Sequence, residues 1–215
     1  MTNPTRQPTT VEWAISLGIS TAPIPPTVEN YDEPCPFSAR QIATRAVILQ
    51  GVVAIACQVD PQPVVEWLQK QGVWEQVSPQ EKEFLFAPDS FDDKTRNSLR
   101  WHQETEWTLL WVIGKIDTLG LPTLQCDTRR LVDEIIPMLG SEIEPFLASA
   151  RLRPPAVLLA ESDRHDNLWC QYFQTRNKGE LLLPSDLNVT VLYQRQYAFE
   201  WLLGVEAWDD VQCDS

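Results

Sequence analysis

A chain of 215 residues with 43% hydrophobic and only 22% charged residues has enough apolar surface for one packed core and lies outside the composition of disordered proteins. Seventeen basic against thirty acidic side chains leave a net charge of −13, a field that repels nucleic-acid backbones and anionic membranes alike. Solubility is the plain role of such a charge, and basic protein partners or cationic ligands are its functional readings.

Residues 1–37 hold seven of the seventeen prolines and read as an N-terminal arm, because proline removes donors and fixes φ. Within it, Thr9 to Glu12 forms a capping box ahead of Val11 to Leu17, with Gly18 as a helix stop. The same stretch also alternates with period two, from Val11 to Ile19, which keeps a strand open as the alternative. No apolar leader opens the chain and no stretch reaches the ~20 uncharged apolar residues of a membrane span. A cytoplasmic setting is expected.

Residues 38–215 read as one helical domain. Ser38 to Gln41 is a capping box for a helix whose second half, Val52 to Ala56, is apolar all round. Asp60-Pro61 supplies an N-cap and a first-turn proline for a helix ending near Gly72. Ser78 to Glu81 repeats both devices. The most hydrophobic helix spans about Thr95 to Asp117, and its Trp107 to Ile116 segment is expected to be the central rod. Cys126-Asp127 opens a helix that Pro137 interrupts, and Ser141 to Glu144 is expected to cap another. Helices over 156–177 and 187–203 follow, joined by a Leu181 to Pro184 link. The predicted architecture is all-α, a single domain of about eight helices around a central Trp-rich helix, with the Pro-rich arm outside.

Signatures of catalysis are missing: no phosphate-binding glycine loop, nucleophile elbow or H-E-x-x-H occurs. Five cysteines without a C-x-x-C pair give neither a zinc spacing nor a disulfide framework. His102 reads as a core imidazole and His165 as a surface group. Trp101, Glu104, Thr108, Trp111 and Lys115 share one helical stripe. Glu104 is thus either held in a buried structural ion pair with Arg100, Arg195 or Lys115, or has a raised pKa suited to proton transfer. Tyr193, Tyr197 and Glu200 share a face near Arg195, which either docks the acidic tail through Asp209, Asp210 or Asp214 or takes a ligand carboxylate.

The ordered set Ser38 to Ala46, Trp67 to Trp74, Ser78 to Glu81, Trp101 to Lys115, Cys126-Asp127, Arg195 to Leu202 and Trp208 to Asp214 resembles the bacterial family catalogued as domain of unknown function 4272. The resemblance spans nearly the whole chain. It implies an intracellular helix-rich domain without an assigned activity, cofactor or catalytic residue. Its matching positions are Arg45, Trp101, Glu104, Trp111, Gly114, Arg195, Trp201, Trp208, Asp209 and Asp214, while Gln194 and Glu200 depart from a Glu and an Asn in the family pattern.

The favoured function is a non-catalytic module that binds another protein, since indoles anchor interfaces. Its candidate contacts are Trp101, Trp111, Lys115, Trp208, Asp209, Asp210 and Asp214. The alternative is an enzyme using Glu104 as general acid/base beside Arg195, Tyr193 and Tyr197 in a Trp-lined cleft. No cofactor or metal is expected, although a carboxylate cation site from Asp209, Asp210 and Asp214 is a third reading.

Overall fold

Capping chemistry sets where the helices start. The computed structural model describes residues 35–178, 186–204 and 206–213, with side chains over the same ranges except 174–178. The proline arm before residue 35, with its Thr9 capping box, and the Leu181 to Pro184 link lie outside them.

Helix α1, Ala39–Ala56, begins where the Ser38 side chain accepts from Gln41 N and Gln41 returns a bond to Ser38 N. Helix α2, Pro61–Lys70, has Asp60 as N-cap and Pro61 in its first turn. Helix α3, Pro79–Phe86, carries the full Ser78/Glu81 box. Helix α4, Asp93–Val112, is capped by Asp92, whose carboxylate accepts from Thr95 N at 2.7 Å. Helix α5, Thr128–Arg130, is capped by Asp127 and widens into a π-type turn over Leu131–Ile135. Helices α6, Glu144–Ser149, α7, Pro155–Lys178, and α8, Val189–Leu203, complete a set of eight, and no strand occurs among the described residues.

Helix α4 lies between α1 and α8, with α7 against α8 and α2, α3 and α6 around α1. The expected single rod is therefore shared. Helix α1 is buried at nearly every position from Ile42 to Ala56, whereas α4 is buried only from Gln103 onward. Helix α1 has the length and hydropathy of a membrane span, yet 78% of it is buried inside the molecule. Gly51 permits this enclosure: a Cβ there would sit 3.1 Å from Val64 Cγ1 of α2. Phe37, at the described end of the arm, stacks on Trp201 of α8 with ring centroids 4.3 Å apart.

Two boundaries differ from the sequence reading. Helix α4 ends at Val112 rather than Asp117, because Gly114 turns left-handed at φ 73°. Ile113 and Ile116 remain buried beyond the helix, so hydrophobicity extended the reading past the true stop. Arg153 covers the carbonyl groups left open there, donating from Nε to Trp111 O at 2.7 Å and from its backbone N to Val112 O at 3.0 Å. Ser141 does not cap α6; its hydroxyl donates to Met138 O, and the helix starts after Ile143 without a side-chain cap. A start at Ser141 would put Pro145 where the first intrahelical N–H is required.

The left-handed stop is testable. Gly114→Ala should lower stability by about 1–2 kcal/mol in urea unfolding, and Gly114→Asn by less, because Asn tolerates that conformation.

Candidate functional site

The side-by-side packing of α4 and α8 brings Glu104 and Arg195 together. Arg195 Nε lies 3.5 Å from Glu104 Oε2, and the exposures of the two side chains are 3% and 0%. The second carboxylate oxygen accepts from Cys126 N, and Arg195 Nη1 donates to Gly120 O at 2.9 Å. One ion pair thus joins two helices to the 120–126 connection. Burial lowers the Arg195 pKa and Glu104 opposes that shift, so the charge is retained through its partner. Of the other cations weighed for Glu104, Arg100 Nε donates to Ala56 O at 2.6 Å and Lys115 Nζ to Ser149 Oγ at 2.6 Å.

The tyrosines take other places. Tyr193 is exposed and packs on Trp169 with centroids 5.6 Å apart. Tyr197 donates its hydroxyl to Trp208 O. The described part of the acidic tail docks, but not on Arg195. Trp208 is buried over the Arg45 guanidinium, 4.3 Å from Cζ to the ring centroid. Asp209 Oδ2 accepts from Gln80 N at 3.0 Å, at the positive end of α3. Arg45 in turn pairs with Glu81, whose other oxygen accepts from Ser78 N at 3.0 Å. Asp210 is exposed, and Asp214 lies outside the described residues.

Trp101 is half-buried. Trp111 forms the inner wall of a cleft of about 340 Å³, where Arg153 stacks 4.7 Å from its ring centroid and Glu161 pairs with Arg164 at 2.8 Å. A second groove, of about 480 Å³, opens between α2 and α3. Its apolar lining is Pro61, Val65, Leu85 and Phe86, its charged lining Asp60 and Glu66. Phe86 is 64% exposed and meets the Trp74 ring edge-on at 5.2 Å.

Several buried polar groups escaped the sequence reading. Glu106 is fully buried, and no donor among the described residues reaches either carboxylate oxygen. Desolvation holds its pKa well above the usual carboxylate range. Its position within Thr105-Glu-Trp-Thr gave no pattern apart from the apolar residues that follow. His165 is buried rather than on the surface, because the polar side of α7 packs inward; its Nδ1 lies 2.9 Å from Glu161 O. Burial, reinforced by Arg195, pushes its pKa down to about 3. Nearby, Asp166 and Glu200 both accept from Gln196 Nε2. Burial raises Asp166 to about 6, Gln196 opposing and Glu200 adding to the shift.

An all-α domain with two buried Arg–Glu pairs and an indole-anchored C-terminal turn defines the class. The family model for a domain of unknown function, DUF4272, matches residues 6–211, and the chain belongs to that family. No curated protein and no solved structure matches it.

Glu104→Ala should destabilise the fold by about 3–5 kcal/mol, since it strands a buried guanidinium, while a paired Glu104→Leu, Arg195→Met variant should recover most of that loss. Thermal unfolding of the three variants measures it. Glu106 gives a pH dependence of defined sign. The folded state keeps a proton that the unfolded chain releases above the ordinary carboxyl pKa, so its contribution to stability falls as pH rises from there toward the folded pKa. The stability gain of Glu106→Gln over the parent should therefore grow between pH 5 and pH 8 in urea titrations.

Proposed function

We propose that this domain is a non-catalytic binding module that recognises another protein through the groove between α2 and α3. The observation that carries this reading is Phe86, a large aromatic side chain 64% exposed at the lip of a groove with Pro61, Val65 and Leu85 among its lining. Exposed aromatic side chains beside a concave apolar surface are the usual anchors of interfaces. Asp60 and Glu66 are the charged groups lining the groove, in a chain of net charge −13, so the complementary partner is a segment with apolar side chains flanked by lysine or arginine. Rapid, salt-sensitive association is the kinetic mark of such pairing.

The acid/base alternative draws no comparable support. Its carboxylate and guanidinium are 0% and 3% exposed, and Tyr193 and Tyr197 pack elsewhere. A substrate would have no route to the Glu104 oxygens without separating α4 from the 120–126 connection.

Affinity capture from native lysate with the parent chain, Phe86→Ser and Asp60→Lys/Glu66→Lys tests the proposal. A partner held by the parent and lost from both variants is the expected result, with retention falling as salt rises. No specific partner for the parent would refute the binding module. A partner held equally by all three would refute the groove.

A further inference from the structure

Beside Trp208 the C-terminal turn, α1, α3, α4 and α8 line a partly open cavity of about 120 Å³. Its apolar walls are Val52, Phe84, Phe91 and Leu99, and Tyr197 and Trp208 form its aromatic roof. Most of its polar lining is already engaged. Tyr197 donates to Trp208 O, Asp209 accepts from Gln80 N, and both Glu81 oxygens are occupied by Arg45 and Ser78 N. His102 also lines it. Its ring lies against Tyr197 and Trp208, with centroids 5.8 and 6.2 Å away, and its Nδ1 is buried without a hydrogen-bond partner.

We infer that this cavity is a binding site for a small uncharged ring compound carrying one hydrogen-bonding group, with His102 as its polar anchor. The size suits one small ring at most, since an apolar cavity of roughly 150 Å³ takes up benzene and this one holds about 120 Å³. The surroundings disfavour charge. Four apolar side chains would strip an ion of water, the Glu81 and Asp209 carboxylates repel an anion, and Arg45, already paired with Glu81, opposes a cation. His102 itself is uncharged at neutral pH: burial pushes its pKa down to about 4, with Glu81 opposing and Arg45 adding to the shift. A neutral imidazole has one donor and one acceptor nitrogen, so it receives either a hydroxyl or an azole N–H. The site is separate from the α2–α3 groove, and this inference stands whether or not the groove binds a partner.

The chain has only two histidines, so His102 ring nitrogen signals are assignable by ¹⁵N NMR with a His165→Asn control. Titration of the full chain with phenol and with pyrazole should shift the His102 signals saturably. Benzene, which lacks the hydrogen-bonding group, should bind more weakly. His102→Phe should weaken phenol binding by about tenfold, the worth of one hydrogen bond, read by indole fluorescence. Leu99→Phe, which fills the cavity, should abolish the shift. Absence of a saturable shift with phenol and pyrazole, leaving only water in the cavity, overturns the inference regardless of how the variants fold. Equal phenol affinity in the parent and His102→Phe overturns the assigned anchor.

Discussion

The Glu104–Arg195 pair is the constraint on which the arrangement of this protein depends. Two charges moved out of water lose several kcal/mol each, and their attraction repays that only when the geometry is good and the remaining lone pairs and N–H groups find partners. Here Cys126 N and Gly120 O supply part of that satisfaction. The pair is therefore matched to one relative placement of α4, α8 and the connection between Gly120 and Cys126. Sliding α8 by one turn would bury both charges unpaired. Neighbouring Thr105 reinforces the register by donating its hydroxyl to Gln194, to the backbone O at 3.0 Å and to Oε1 at 2.7 Å.

A second buried pair performs the equivalent task on the α1 side. Arg45 and Glu81 link α1 to the first turn of α3, and Trp208 closes over the guanidinium. Indoles elsewhere act in the same two-part manner, with an apolar body and one satisfied N–H. Trp67 Nε1 donates to Ser141 O at 2.7 Å, and Trp169 Nε1 to Cys213 O at 3.1 Å. These bonds fasten loops and the tail to helices, which accounts for part of the high tryptophan content without invoking a ligand.

Helix starts were legible because a cap is a local event: Ser38, Asp60, Ser78 and Asp127 each satisfy backbone N–H groups within three residues. The end of α4 was harder to read, since the apolar run through Ile116 reports burial while Gly114 reports backbone conformation. A buried ion pair at Glu104 was among the sequence alternatives, but not which cation completes it, because that depends on how α4 and α8 meet. The inward polar side of α7 was invisible for the same reason. His165 sits among polar residues in sequence and is buried in the fold, its ring 5.0 Å from that of Phe199 on α8. The cavity at His102 draws its walls from distant segments, and no spacing in the chain encodes it.

The distribution of charge connects the interior to the groove proposed for binding. Arg45 and Arg195 are neutralised inside the fold by Glu81 and Glu104. Arg100 and Arg153 direct their guanidinium groups at backbone carbonyls instead. Cations are thus drawn inward in a chain whose net charge is −13. A groove lined by Asp60 and Glu66 sits in a field that extends over about 10 Å at moderate salt. For the basic partner proposed above, that field would act before any contact forms, and the apolar contact with Phe86 only after docking. On that proposal, charge governs the encounter and the aromatic anchor governs how long the complex lasts.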